Sequence, residues 1–144
     1  MAAKYGALDL VAEKVAENHA AAREIMAELI STHSELRGVF ASNPTVAHGA
    51  AEAVSESKTN KTGDTINVVA FDWDDQLVKF LQDGTIAALV VQDPFRMGYD
   101  GVKTALAASK GEQVQTRIDT GVSTITKANM NSARSQELLK PSIK

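Results

Sequence analysis

The chain contains no cysteine among its 144 residues, which excludes disulfide bonds, a thiolate metal site and a cysteine nucleophile. It also has no strong excess of charge, since 15 basic and 18 acidic residues give a formal net charge of -3. That balance gives no reason to expect nucleic acid or an anionic membrane as a partner. No apolar run approaches the length of a membrane span, so we expect no direct membrane insertion.

The opening residues, MAAKYGALDL, lack the charged and apolar regions of a signal peptide. We therefore expect no export signal in the chain as it is written. What is present is the composition of an ordinary soluble globular protein, with 44% hydrophobic and 23% charged residues. This length is typical of one domain and is sufficient to bury a real core.

Short apolar segments alternate along the chain with segments of helical period. The predicted strands are Leu8–Val15, Leu36–Ala41, Ile66–Phe71, Ile86–Val91 and Glu112–Ile118. The predicted helices are Ala20–Ser31, Thr45–Ser57, Asp75–Gln82 and Pro94–Ser109, with a late helical patch near Ala133–Leu139. Strands separated by helices indicate parallel βαβ units. Runs such as VVAF and IAALVV are apolar throughout, which predicts an α/β fold with a mostly parallel sheet and helices on both faces.

Local sequence features set the limits of several helices. Asn18 is predicted to cap the first helix, because its side chain can accept a bond from a free N–H of the first turn. Pro44 stands at an early helical position, where its missing N–H is tolerated. Gly84 and Gly111 follow the third and fourth predicted helices and are expected to end them.

Polar side chains follow three of the predicted strands, at the point where each strand ends. They are Asn43, Asp72 and Gln92. In open parallel α/β sheets ligands bind at the carboxyl ends of the strands. A carboxylate accepts hydroxyl protons, and the amides both donate and accept. These residues therefore predict the floor of a pocket for a small polar molecule; the alternative is that each is an ordinary cap or turn residue.

The sequence shows no convincing catalytic constellation. His19, His33 and His48 are scattered without metal-ligand spacing. No Ser–His–acid order is convincing, and no glycine-rich phosphate loop follows a strand. We therefore expect a protein that is not an enzyme, with no cofactor and no metal.

Four segments together resemble a known family: FASN, VVAFDW, LQDGTIAALVVQDPFRMGYDGV and ITKANM. They are similar to the C-terminal half of type I, ribose-binding-like periplasmic sugar-binding proteins, the substrate receptors of ABC importers. The resemblance runs from about Tyr5 to Pro141. It implies a flavodoxin-like C-terminal lobe that recognises a sugar or similar polyol and, in a full receptor, works with an ABC permease. It also implies a periplasmic location; a genuine short reading frame would instead be cytoplasmic.

The resemblance implies that Asn43, Asp72 and Gln92 contact sugar hydroxyls. Trp73, beside Asp72, is expected either to stack on a pyranose face or to be a packed or exposed rim residue. Pro44 departs from the family pattern, since relatives usually have an acidic residue after the Asn. Arg96 and Asp93 are expected to be solvated or hinge-pairing charges rather than ligand contacts.

The family is built from two lobes, and the resemblance implies a chain of one truncated lobe. Residues 1–92 would form the core of the C-terminal lobe, without its first strand. Residues 93–120 would be a helix–strand unit that belongs to the other lobe in the family, and 121–144 would be the third crossing and the tail. Gln92-Asp93 would be a crossing point.

Such a lobe would leave strand edges and apolar helix faces bare, which invites pairing with another chain. We expect either a rearranged sheet, with Gln113–Ile118 beside Leu8–Val15 and Leu36–Ala41, or a domain-swapped homodimer. Two functional classes are open for the chain. The first is a sugar-binding component of an ABC importer, or its remnant. The second is a non-binding truncated relative that acts as an oligomeric interaction protein.

Overall fold

Five helices and four strands alternate in the computed structural model, which describes residues 8–57, 63 and 65–140. The helices are α1 (His19–Thr32), α2 (Pro44–Ser57), α3 (Asp75–Asp83), α4 (Pro94–Ser109) and α5 (Ala133–Leu139). The strands are β1 (Gly38–Ala41), β2 (Asn67–Phe71), β3 (Ala88–Gln92) and β4 (Val122–Ile125). All five predicted helices are present, and α4 has the predicted limits.

The four strands form one sheet in the order β1-β2-β3-β4. β1, β2 and β3 are parallel, and β4 is antiparallel to β3. The register aligns four buried side chains in one row across the sheet: Ala41, Ala70, Leu89 and Ile125. The prediction of an α/β fold with a mostly parallel sheet is therefore confirmed.

The two faces of the sheet are covered unequally. On one face α2 packs against β1 and β2, and α3 against β3. The side chains of this face belong to the core, among them Val68 and Val91. On the opposite face Phe40 is 59% exposed and Val69 and Val90 are only partly buried. Within the described residues, the helices thus bury one face well and leave the second face accessible.

The contact of α1 with α2 depends on small residues. Alanines form much of the buried side of α2, and Ala47, Ala50 and Ala53 are in the core. Gly49 instead faces α1, because a Cβ built there would lie 2.7 Å from the Arg23 nitrogen and 2.8 Å from the Ala22 Cβ. The missing side chain lets the two helix backbones approach closely.

Three of the predicted end signals are present. The Asn18 side chain accepts a hydrogen bond of 2.9 Å from the Ala21 N–H and so caps α1. Gly84 ends α3 in the left-handed conformation at φ 91°, and Gly111 follows α4 at φ 77°. Such positive φ values favour glycine.

The predicted strand Leu8–Val15 is wrong. These residues have no regular secondary structure, and Val15 is 89% exposed. The apolar alternation breaks at Ala12–Lys14, so the segment has no continuous apolar side that could be buried against a sheet.

The predicted strand Glu112–Ile118 is also wrong, and the last strand lies further along, at Val122–Ile125. Gly121, at φ 72°, donates its N–H to the Asp119 carboxylate and turns the chain back onto β3. Since Gln113–Ile118 lies outside the sheet, the rearranged sheet is excluded. The predicted slot beside Leu36–Ala41 remains without this segment.

Helix α4 begins at the Asp93 cap and Pro94 but buries none of its residues within the described chain. Phe95 and Val102 are each 72% exposed. Among the described helices, none combines the length and apolar character that crossing a membrane requires.

Gly49→Ala tests the close approach of α1 and α2. Alanine favours a helix by about 1 kcal/mol over glycine, but its Cβ would meet the backbone of α1 at His19 and Arg23. We expect a net destabilisation of about 1–3 kcal/mol from overpacking, measured by urea unfolding. Gly98→Ala in α4, where no atom lies within 4 Å of the new Cβ, is the matched control and should not destabilise the protein.

Candidate functional site

The carboxyl ends of β1, β2 and β3 lie side by side because these strands are parallel neighbours. Asn43 lies two residues after β1, Asp72 directly follows β2, and Gln92 is the last residue of β3. The structure thus places all three predicted residues along one rim of the sheet. A hydrogen bond joins Asp72 and Gln92 directly, and Asn43 is bonded to the start of α2.

Asp72 and Gln92 form a side-chain pair. The Gln92 Nε2 donates to both carboxylate oxygens of Asp72, at 3.0 Å to Oδ1 and 3.1 Å to Oδ2. The Asp72 backbone N–H donates to the Val90 carbonyl at 2.9 Å, which prolongs the β2–β3 pairing by one residue. The two side chains are partly exposed, so the pair remains open to a ligand.

The backbone of Asp72 is unusual, since its φ of 65° is the only positive value among the described residues other than glycine. Asp and Asn tolerate this left-handed region better than most residues. The turn ends β2 at the rim and starts the approach to α3. Backbone strain of this kind concentrates at functional sites.

Asn43 has the capping role that was the alternative to ligand contact. Its Oδ1 accepts a hydrogen bond of 3.0 Å from the Val46 N–H at the start of α2. Its Nδ2 makes no hydrogen bond to the described residues, so it remains available as a donor. The structure therefore fixes the side chain in place without assigning it to a ligand.

Trp73 is partly buried and packs against the hydrophobic core. This agrees with the packed-rim alternative. The stacking role of Trp73 stays a prediction.

A second polar group lies beside this rim, where α1, α2 and α3 meet. The His48 Nε2 lies 2.7 Å from the Asp74 Oδ2, and the His19 Nε2 lies 2.9 Å from the Glu52 Oε2. The two imidazole rings meet edge to face with centroids 6.3 Å apart. Together with Pro44 and Thr45, these four residues line an open cavity of about 340 Å³.

Sequence reasoning treated these histidines as scattered and so missed the group. A signal was present in part: His48 and Glu52 are one helical turn apart on α2, and Asp74 directly precedes α3. Nothing in the sequence, however, gives the rotation of α1 that brings His19 to the same place. No set of three or more His, Cys, Asp or Glu side chains suited to a metal ion occurs among residues 8–57, 63 and 65–140.

Asp74 is also the N-cap of α3. Its Oδ1 accepts from the Gln76 and Leu77 N–H groups at 2.9 and 2.8 Å. Burial alone would raise the pKa of the Asp74 carboxyl. The hydrogen bonds from Leu77 and His48, the charge of His48 and the bond from Gln76 outweigh this effect, so the pKa is lowered.

Asp93, which was expected to be a solvated or hinge-pairing charge, is paired with two residues. Its Oδ1 accepts from the Arg96 N–H at 3.0 Å, and its Oδ2 lies 2.8 Å from the Arg134 Nη2 on α5. These two bonds, first from Arg96 and then from Arg134, lower the pKa of the Asp93 carboxyl. Arg96 itself lies 3.4 Å from Asp100 within α4.

The rim combines acceptors and donors at adjacent strand ends. The Asp72 carboxylate has lone pairs beyond the two bonds from Gln92, and the Gln92 Oε1 accepts no hydrogen bond from the described residues and is a further acceptor. Such an array suits a ligand with several hydroxyl groups.

Comparison with known proteins defines the class to which this chain belongs. The family described as periplasmic binding protein domain matches residues 1–113. The chain therefore belongs to the type I periplasmic binding proteins, and the resemblance found in the sequence is confirmed.

The chain is similar to several proteins whose descriptions name a sugar. It is 32% identical to the ribose import binding protein of Escherichia coli K12 over 103 residues, which are 72% of this chain and 33% of that protein. A carbohydrate transporter solute-binding protein from Agrobacterium radiobacter, solved with D-arabinose, is 46% identical with a TM-score of 0.81. A solute-binding protein from Agrobacterium vitis, solved with α-D-tagatopyranose, is 28% identical with a TM-score of 0.83.

Each match covers a larger share of this chain than of the protein it is compared with. The solved structures match 95% and 97% of this chain, but each match covers 46% of the other protein. The chain spans about a third of the length of the curated ribose-binding relative.

Asp74 generates a prediction on pH. Because its pKa is lowered from 3.8 in the folded state, its charge stabilises the fold above about pH 3.8, and this contribution is lost as the pH falls through the folded-state pKa. Asp74→Asn keeps a capping oxygen but loses the charge. The variant should be less stable than the parent at pH 7, and the difference should shrink below about pH 4.

Urea unfolding between pH 2.5 and 7 measures this difference. Asp75→Asn is the matched control, since the Asp75 side chain makes no hydrogen bond within the described chain. Asp74→Ala also removes the cap and should cost about 1 kcal/mol at neutral pH. A difference between the parent and Asp74→Asn that is constant with pH would contradict the assigned role of the charge.

Proposed function

We propose that the chain is the sugar-binding part of an ABC importer receptor and recognises a sugar or similar polyol at the rim formed by Asn43, Asp72 and Gln92. The observation that carries the proposal is the hydrogen-bonded pair of Asp72 and Gln92 at neighbouring strand ends. The relatives named above support it: one is described as a ribose import binding protein, and two are solute-binding proteins solved with D-arabinose and with α-D-tagatopyranose.

The proposed chemistry is hydroxyl recognition and not catalysis. Gln92 orients its amide by donating to Asp72, so that one amide oxygen and the carboxylate face the ligand as acceptors. Asn43 adds a donor, since its oxygen already caps α2. Trp73 would cover an apolar face of the sugar ring. Hydrogen bonds to a charged group contribute about 1.5–3 kcal/mol each, so Asp72 should dominate.

The proposal includes a division of the chain. Residues 93–120 would pack on a second lobe, which is supported by the absence of any buried residue from α4. A second lobe would supply further ligand contacts and exclude water by closing over the rim. The lobe described here should therefore bind sugar weakly when it is alone. An ABC permease as partner and a periplasmic location follow from the same proposal.

An oligomeric interaction protein is the second candidate. It is supported by the accessible sheet face at Phe40, Val69 and Val90 and by the exposed apolar residues Phe95 and Val102 of α4. A homodimer would cover such surfaces, because burial of apolar area favours association.

Sugar titration separates the two candidates. D-ribose, D-arabinose and D-tagatose are titrated into the protein by isothermal titration calorimetry. We expect at least one of them to bind with a dissociation constant of about 1 mM, which corresponds to a binding free energy of about 4 kcal/mol. Asp72→Asn keeps the left-handed backbone and one acceptor oxygen but removes the charge, and it should weaken binding by roughly 10- to 100-fold. Glu24→Gln, on the exposed side of α1, is the control and should bind like the parent.

The absence of binding heat with a panel of pentoses and hexoses would contradict the sugar-binding proposal for this lobe. Equal affinity of the parent and Asp72→Asn would leave sugar binding in place but remove Asp72 from the site.

Oligomeric state tests the second candidate. Light scattering coupled to size-exclusion chromatography should give a mass that rises toward twice 15.3 kDa with concentration. Phe40→Ser, which removes an exposed apolar ring, should shift the equilibrium toward monomer. A monomer at every concentration would exclude the homodimer.

A further inference from the structure

Residues 94–121 form an excursion, defined here as α4 and the segment that leads from it back to β4. The excursion leaves the sheet after Asp93 and returns at Val122. Its two ends are adjacent, because Gln92 pairs with Val122 in the antiparallel β3–β4 ladder. Since α4 buries none of its residues within the described chain, packing in the core does not fix the direction in which it points.

The Asp93 carboxylate connects the first turn of α4 to another helix. One oxygen accepts from the Arg96 N–H and caps α4, while the other accepts from the Arg134 guanidinium of α5 at 2.8 Å. The Asp93 side chain is only 16% exposed, so this pair is better shielded at its acidic end than an ordinary surface pair. Because the cap bond is made to the backbone of α4, a displacement of the Asp93 carboxylate also displaces the first turn of this helix.

Arg134 belongs to a helix, α5, that is anchored in the core. α5 buries Leu138 and Leu139, and the Gln136 side chain donates to the Met130 carbonyl at 2.8 Å. The second nitrogen of the Arg134 guanidinium, Nη1, lies 2.9 Å from Glu137 one turn further along α5. A continuous series of contacts therefore runs from the core through α5 and Arg134 to Asp93.

The neighbouring residue is held in a different direction. Gln92 is bonded through its side chain to Asp72 at the end of β2. Two consecutive residues at the exit of β3 are thus fixed to two separate elements, β2 and α5. This fixes the orientation of the chain at the point where α4 begins.

We infer that Arg134 is a positioning residue that sets the direction of α4 relative to the sheet. The helix acts as a lever, because its 16 residues extend about 24 Å from Asp93. A rotation of about 15° at the cap moves the far end by about 6 Å. Where 93–120 packs on a second lobe, as proposed above, the same pair would set how that lobe is presented to the ligand rim.

The experiment measures the direction of α4 without any sugar, so its failure is distinguishable from failure of the proposed function. The chain has no cysteine, which allows spin labels to be placed at Glu24→Cys on α1 and Lys110→Cys at the end of α4. Pulsed electron–electron double resonance then gives the distribution of distances between the two spin labels.

The doubly labelled parent should give one narrow distribution. Arg134→Ala should shift its mean by several ångströms or at least double its width, and Arg134→Lys, which keeps the charge, should restore most of the parent distribution. Glu137→Ala removes the other partner of Arg134 and should leave the distribution unchanged. Circular dichroism should show equal helix content in all variants.

Asp93→Asn is a second route to the same contact, since Asn still caps α4 but loses the charge that holds Arg134. It should broaden the distribution as Arg134→Ala does. If Arg134→Ala and Asp93→Asn both give the parent distribution, Arg134 does not position α4. A parent distribution as broad as that of Arg134→Ala would overturn the inference as well.

Discussion

The parallel pairing of β2 with β3 is the constraint on which the rim depends. It brings the ends of two strands that are about 20 residues apart to adjacent positions, and the bond from the Asp72 N–H to Val90 extends it by one residue. The left-handed turn at Asp72 then ends β2 where Gln92 can reach its carboxylate. A shift of this register by one residue would turn Gln92 to the other face of the sheet and break the pair.

The core follows from the same pairing, because the register aligns small and branched side chains under α2 and α3. Ala41 and Ala70 leave room for the alanines of α2, while Leu89 and Ile125 fill the space beside them. The covered face is therefore tightly packed, and α1 adds a second layer through Gly49. The opposite face lacks such a layer within the described residues. It is therefore the face of the sheet that is available to a partner.

Much of the fold and part of the rim were predictable from sequence, and the errors have a common physical origin. Local signals such as Asn18, Pro44 and Gly84 placed the ends of the helices well, because a helix end is decided by residues within one turn. The position of the last strand depends on a contact between residues that are far apart in sequence. Val122–Ile125 pairs with β3, whereas the predicted strand Glu112–Ile118 pairs with no strand of the sheet. The order of strand ends predicted that Asp72 and Gln92 would be neighbours. The contact of His48 with Asp74 was not predictable, since it depends on the relative placement of two helices.

The adjacency of Gln92 and Val122 has a consequence for folding topology. β3 and β4 are two arms of an antiparallel pair that residues 93–121 connect as a very long loop. The entropy of closing a loop grows only with the logarithm of its length, so each doubling adds about 0.6 kcal/mol. The pair therefore tolerates the long connection at small thermodynamic expense, and the position between Asp93 and Val122 is a natural junction for shortening, replacing or exchanging a module without redesign of the sheet.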